Sequence, residues 1–174
     1  MRQIPSLLLQ LLLAFLLSLA TLPLHSQNDR TLVDSRLALF EREFLTEYEE
    51  HVERLFKAKE QELDQKYSQA LDRVLDQSVK AARLEEAIAI REEKKRTDEG
   101  TAVPPVDGPN DPQVLKQVRA TYRIEHQKLE TEREISAGPV FASHDIRLET
   151  YQTLLTTEGK LDDALKVKEA RGNA

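Results

Sequence analysis

From Gln27 to Glu99 the chain runs for 73 residues without a glycine or a proline. Sheet-containing folds reverse direction every few residues and need turn formers to do it, so a stretch this long without them must be mostly helix. The apolar pattern agrees. Val33, Leu37, Phe40, Phe44, Tyr48, Val52 and Leu55 step by four and three, and Phe56, Leu63, Tyr67, Ala70 and Val74 continue the stripe beyond a polar gap at Lys59 and Glu60. Such spacing buries one narrow seam against another helix. Acid-first pairs at i,i+4 decorate the opposite face: Glu53 with Lys57, Glu62 with Lys66, Asp76 with Lys80 and Glu92 with Arg96. If Ser35 to Val79 forms one helix, its length is about 68 Å at 1.5 Å per residue. The expected fold is therefore all-α, built of elongated helical hairpins of coiled-coil type.

The first 26 residues differ in kind. Sixteen are apolar, Arg2 is their only charge, and Ile4 to Ala20 is almost wholly apolar. Small residues stand at Ser18 and Ala20, and again at Ser26. A short positive start, an apolar stretch and a small-residue cut are the layout of a secretory signal peptide, expected over residues 1–26 with cleavage after Ala20 or Ser26. About 17 apolar residues interrupted by Gln10 would span a bilayer poorly. The expected location is thus the periplasm or the exterior, with no membrane association after cleavage. There is no Cys, so packing alone must hold the exported chain together.

Thr97 to Pro112 reads TDEGTAVPPVDGPNDP and holds four of the seven prolines. It predicts a solvated linker, residues 100–111, between a first helical unit over 27–99 and a second over 112–174. Asp107, Asn110 and Asp111 lack the alternating oxygen spacing of a calcium loop. Asp111 followed by Pro112 predicts a helix start, as N-cap and first-turn proline. The stripe then resumes through Val118, Tyr122 and Leu129. Gly138-Pro139 is expected to stop that helix, and another carries Ile146, Leu148, Tyr151, Leu154 and Leu155 up to Gly159, before a last short helix.

The two halves resemble each other. At an offset of 77, Leu71, Leu84, Ala87, Ile88, Ile90 and Glu92 match Leu148, Leu161, Ala164, Leu165, Val167 and Glu169. Upstream, Tyr48 and Leu55 match Tyr122 and Leu129 at an offset of 74. Each half reads as a long helix, a tight turn and a short amphipathic helix, with Ala82 in the first half where the second has Gly159. The segments Ala82–Glu93 (ARLEEAIAIREE) and Gly159–Lys168 (GKLDDALKVK) resemble the repeated hairpins of uncharacterised exported bacterial proteins that carry G-D-L-x-x-A-L-x-V after each long helix. Gly159, Leu161 and Ala164 are also distantly similar to the tetratricopeptide hairpin. The resemblance implies a helical interaction surface and no known activity.

Composition and motifs exclude most chemistry. With 31 acidic against 25 basic residues and no basic block, nucleic acid is not the expected partner. Zero Cys removes thiol nucleophiles and Cys-based zinc sites. His51, His126 and His144 follow Tyr48, Arg123 and Phe141 by three positions, so the Glu-x-x-His pairs of di-iron bundles are missing. Ser143, His144 and Asp145 are neighbours in sequence, and neighbours on a helix do not converge on one point. No metal site, cofactor or catalytic residue is expected. What remains is a seam for packing or for a partner: Phe40, Phe44, Tyr48, Leu55, Leu63, Tyr67, Val74, Tyr122, Leu129 and Tyr151. The expected function is an exported structural or protein-interaction module that binds a protein partner or self-associates. A holdase-like periplasmic chaperone with helical arms and a tetratricopeptide-like adaptor are the alternatives.

Overall fold

The structure, a computed structural model, describes residues 25–172, with side chains described from residue 32 onward. The signal peptide expected over residues 1–26, with its two cut sites, lies outside the residues whose side chains are described. The elements are α1 (His25–Tyr48), a π-helical segment (Glu49–Glu53), α2 (Arg54–Lys80), α3 (Leu84–Asp98), α4 (Gln113–Thr157) and α5 (Leu161–Gly172). No strand occurs among the described residues, and the all-α class is as the spacing predicts.

Packing divides the described residues into two compact units. One draws on Met1–Glu41 and Leu148–Asn173, the other is Arg42–Arg147. These units are composed differently from the sequence halves 27–99 and 112–174, because α1 and α4 each contribute to both. In the first unit, Val33 and Phe40 of α1 meet Leu148 and Leu155 of α4 and Ala164 and Val167 of α5, with Leu37 and Tyr151 packed alongside. Tyr151 meets Phe40 edge-on at 5.8 Å. In the second unit, Tyr67, Leu71, Ile90 and Leu115 form one cluster. Val52, Ala137 and Val140 form another, flanked by Phe44 and Tyr48.

The π segment follows from the spacing. Phe40, Phe44, Tyr48, Val52, Phe56 and Glu60 step by four, whereas an α-helix completes a turn in about 3.6 residues. Held over five turns, steps of four would carry the stripe around the helix. A wider turn at Glu49–Glu53 absorbs the excess, so that Val52 is buried and Phe56 half-buried. The seam then continues through Phe56, and Leu55, expected within it, stands outside at 55% exposure.

The turn after α2 forms without glycine. Ala82 takes a left-handed φ of 55°, matching 74° at Gly159. Arg83 N–H reaches back to the Ser78 carbonyl and Ala82 N–H to that of Val79, as Lys160 does to Leu155 and Gly159 to Thr156. This pair of bonds satisfies carbonyls left over at a helix end and favours Gly at the left-handed position. Ala82→Gly should therefore raise stability by about 0.5–1 kcal/mol. Gly159→Ala should lower it by about 1 kcal/mol through backbone strain alone, since a Cβ there would meet nothing within 4 Å. Urea unfolding of the two variants checks both signs.

Gly138-Pro139 does not stop the helix: α4 runs through it, with Pro139 inside. The proline removes one N–H and leaves the carbonyl four residues back without a helical donor. Pro139, Gly138 and Ile135 all face solvent, so water can serve that carbonyl. Ala137 and Val140, on either side of the break, are both buried against Val52 and hold the helix on course. Nor is a three-residue change of register needed there. Phe44 meets His144 at 4.7 Å as Tyr122 meets Tyr67 at 4.8 Å. His144 and Tyr67 are 77 apart, which makes Tyr122 the counterpart of Phe44 rather than of Tyr48. Burial repeats at the offset of 77 as well. Leu71 and Leu148 are 0% and 2% exposed, while Leu84 and Leu161 are 68% and 61% exposed.

The segment expected as a solvated linker is tied down. Val103 packs on the Tyr67–Leu71 cluster. Arg96 donates to the Ala102 carbonyl and Arg123 to that of Pro104. Asp111 is not the expected N-cap. The helix begins at Gln113, and the Asp111 carboxylate accepts from Gly108 N–H and from Arg119.

Candidate functional site

The second unit carries a polar network inside its core. Arg119 projects from the buried face of α4, one turn after Leu115, and is 5% exposed. Its guanidinium lies 2.6 Å from Glu93 of α3 and 2.5 Å from Asp111. Glu93, 2% exposed, also accepts from the Tyr67 hydroxyl at 2.7 Å. Asp107 bridges Arg119 at 3.4 Å and Arg123 at 2.7 Å. Arg96, Arg119 and Arg123 thus face Glu93, Asp107 and Asp111, and the group is neutral as a whole.

The titration of each group follows from its neighbours. Burial would raise the Glu93 carboxyl, but hydrogen bonds from Arg119 and Tyr67 outweigh it and hold the group below the ordinary range. The Arg123 guanidinium does the same for Asp107, and the backbone N–H of Gly108, with Arg119 behind it, for Asp111. Burial first, then the Glu93 carboxylate, push the Tyr67 phenol up. Every charge is met by an opposite one, and the Tyr67 proton is held more firmly than in water. This is the arrangement of a structural ion cluster.

The other titratable candidates do not converge. His126 Nε2 lies 3.4 Å from Glu60, and its ring stacks on Tyr122 at 5.9 Å. The Ser143 hydroxyl accepts from Arg147 at 3.1 Å, and the His144 ring lies against Phe44. His51 is exposed on the π segment. Among the described residues no group of three or more His, Asp or Glu is placed to hold a metal ion.

A different feature lies on the flank of α2 and α4, which run antiparallel. Tyr122 meets Tyr67 there and donates to Asp64 at 2.8 Å, and burial, then that carboxylate, raise its phenol above the ordinary value. Beside them opens a groove of about 330 Å³ with Leu63, Ala70, Val118 and Tyr122 on its floor and Lys66, Arg73 and Glu125 on its rim. It continues into a second hollow of about 310 Å³ with Leu129 between Lys59 and Glu132. Leu55 extends the apolar line beyond it.

The expected seam residues therefore divide. Phe40 and Tyr67 are buried; Phe44, Tyr48, Val74, Tyr122 and Tyr151 are half-buried between helices of their own unit. Leu63 and Leu129 are half-buried on the groove, and Leu55 is exposed. Sequence reasoning missed Arg119 and Glu93. A signal was present, since each places a charge on a stripe that otherwise reads apolar: Leu115–Arg119–Tyr122 and Ile90–Glu93. Of the four expected helix-surface pairs, Glu62–Lys66 and Asp76–Lys80 form, at 2.7 and 2.6 Å. Glu53 turns instead to Arg133, and Arg96 to Glu93.

No protein-family model, no curated protein and no solved structure matches the chain. Among the described residues no helix is long and apolar enough to cross a membrane.

Proposed function

We propose that the chain is an exported helical module that works by holding another protein in the α2–α4 groove, with no catalytic step. The observation that carries this reading is the groove's floor. Leu63, Ala70 and Val118 are apolar and only half-buried, whereas the charged side chains of the core close on one another. Two antiparallel helices with an open apolar furrow offer a seat to a third helix, whose residues at i, i+3, i+4 and i+7 would enter it. Export rests on the apolar stretch Ile4–Ala20 behind Arg2 and the small residues that follow.

A photo-crosslinking residue at Ala70, in cells that make the protein, tests the reading. A covalent adduct is expected from position 70, and none from the exposed Glu92 on α3. Equal yields at both positions, or no adduct at position 70, would overturn it.

A further inference from the structure

The rim of the groove carries its charges in two rows. Lys59, Lys66 and Arg73 follow each other at steps of seven along α2, and Glu125 and Glu132 are seven apart on α4. Seven residues are close to two helical turns, so each row runs along one edge. The Lys59 ammonium lies 2.6 Å from Glu132, which sets these two residues level with each other. The helices are antiparallel with the same rise per residue, so Lys66 is level with Glu125. The hairpin thus has a basic edge and an acidic edge in register.

We infer that the α2–α4 groove is covered by the same groove of a second copy of this chain, an inference that rests on the interaction reading above. A twofold axis parallel to the helices would lay α2 of one copy over α4 of the other at the same level. The basic edge of each copy then meets the acidic edge of its partner, and the contact occurs twice. A twofold axis perpendicular to the paired helices, which lays α2 on α2, would set lysine against lysine. The charges therefore select one arrangement. Exposed pairs of this kind add little affinity and fix register and partner choice instead. Affinity comes from the floor, where Ala70 and Val118 are small enough for close approach and Leu63 and Leu129 supply area. The exposed Leu55 gains cover in the same contact.

Sedimentation of the purified protein over a hundredfold range of concentration tests this. The expected mass is twice that of the chain at the high end. Lys59→Glu/Lys66→Glu should weaken association at least tenfold, with helicity by circular dichroism unchanged. Adding Glu125→Lys/Glu132→Lys should restore it, which a folding defect would not allow. A monomer at every concentration, or a dimer indifferent to the first pair of changes, overturns the inference. The crosslink from position 70 separates the two levels. An adduct of twice the chain mass supports both, an adduct with a different protein overturns the second copy alone, and no adduct overturns both.

Discussion

Arg119→Ala should cost about 3–5 kcal/mol at pH 7, because it leaves Glu93 charged and buried with its strongest partner gone. The Tyr67 hydroxyl would still donate to Glu93, and Arg96 stands 3.4 Å away, but Arg96 is far more exposed and neutralises less. Asp111 would lose its guanidinium as well. A pH series checks the cause. In the native protein Glu93, Asp107 and Asp111 all titrate below their ordinary values. A depressed carboxyl stabilises the fold above its unfolded pKa of about 4 and loses that contribution as pH falls through its lower folded value. Native stability should therefore drop below about pH 4. In Arg119→Ala the Glu93 carboxyl keeps its burial and loses its cation, so its value moves up and protonation relieves the orphaned charge. The gap between native and variant should narrow as acid is added. Glu93→Gln, which removes the charge and keeps an acceptor for Tyr67, should cost less than Arg119→Ala at pH 7. Urea unfolding at pH 7 and at pH 4 reads all of this. A gap that stays constant with pH would mean that Arg119 stabilises by packing its stem and not by its charge.

The same network shows why part of the fold was legible and part was not. Helices follow from local rules, and 73 residues without Gly or Pro leave few alternatives. The buried seam positions Phe40, Tyr67 and Leu71 sit where a 3.6-residue period puts them. The pairing of Arg119 with Glu93 joins residues 26 apart on different helices, and no local pattern connects them. The segment 100–111 looked solvated because its prolines forbid helix, yet Asp107 finds two arginines one turn apart on α4. Pro139 breaks a helix by local rules, and the buried Ala137 and Val140 override it. Leu55 was placed on the seam by a period of 3.6, which the π segment suspends five residues upstream. The groove was half-visible: its floor residues are seam residues by spacing, but nothing local says which of them the chain itself covers.

Leu71→Ala and Leu148→Ala should each lower stability by about 2–5 kcal/mol, the cost of a lost leucine side chain and the cavity it leaves. Both side chains are enclosed, Leu71 among Tyr67, Ile90 and Leu115, and Leu148 in the cluster of Phe40, Leu155 and Val167. They occupy equivalent places 77 residues apart, at the end of a long helix where it meets the short helix that follows. If the halves are copies in energy as well as in sequence, the two losses should agree to within about 1 kcal/mol, given the usual context dependence of such changes. Leu84→Ala and Leu161→Ala, the first residues of α3 and α5, are the matched controls: both are largely exposed, and each should shift stability by no more than about 0.5 kcal/mol. The measurement is the denaturation midpoint of all four variants at one slope. Loss at Leu71 with none at Leu148 would show that only one half carries a cooperative core, and the repeat would then be one of pattern without shared energetics. A large loss at Leu84 or Leu161 would mean that the short helices are covered on their outer faces, a contact absent from the single chain.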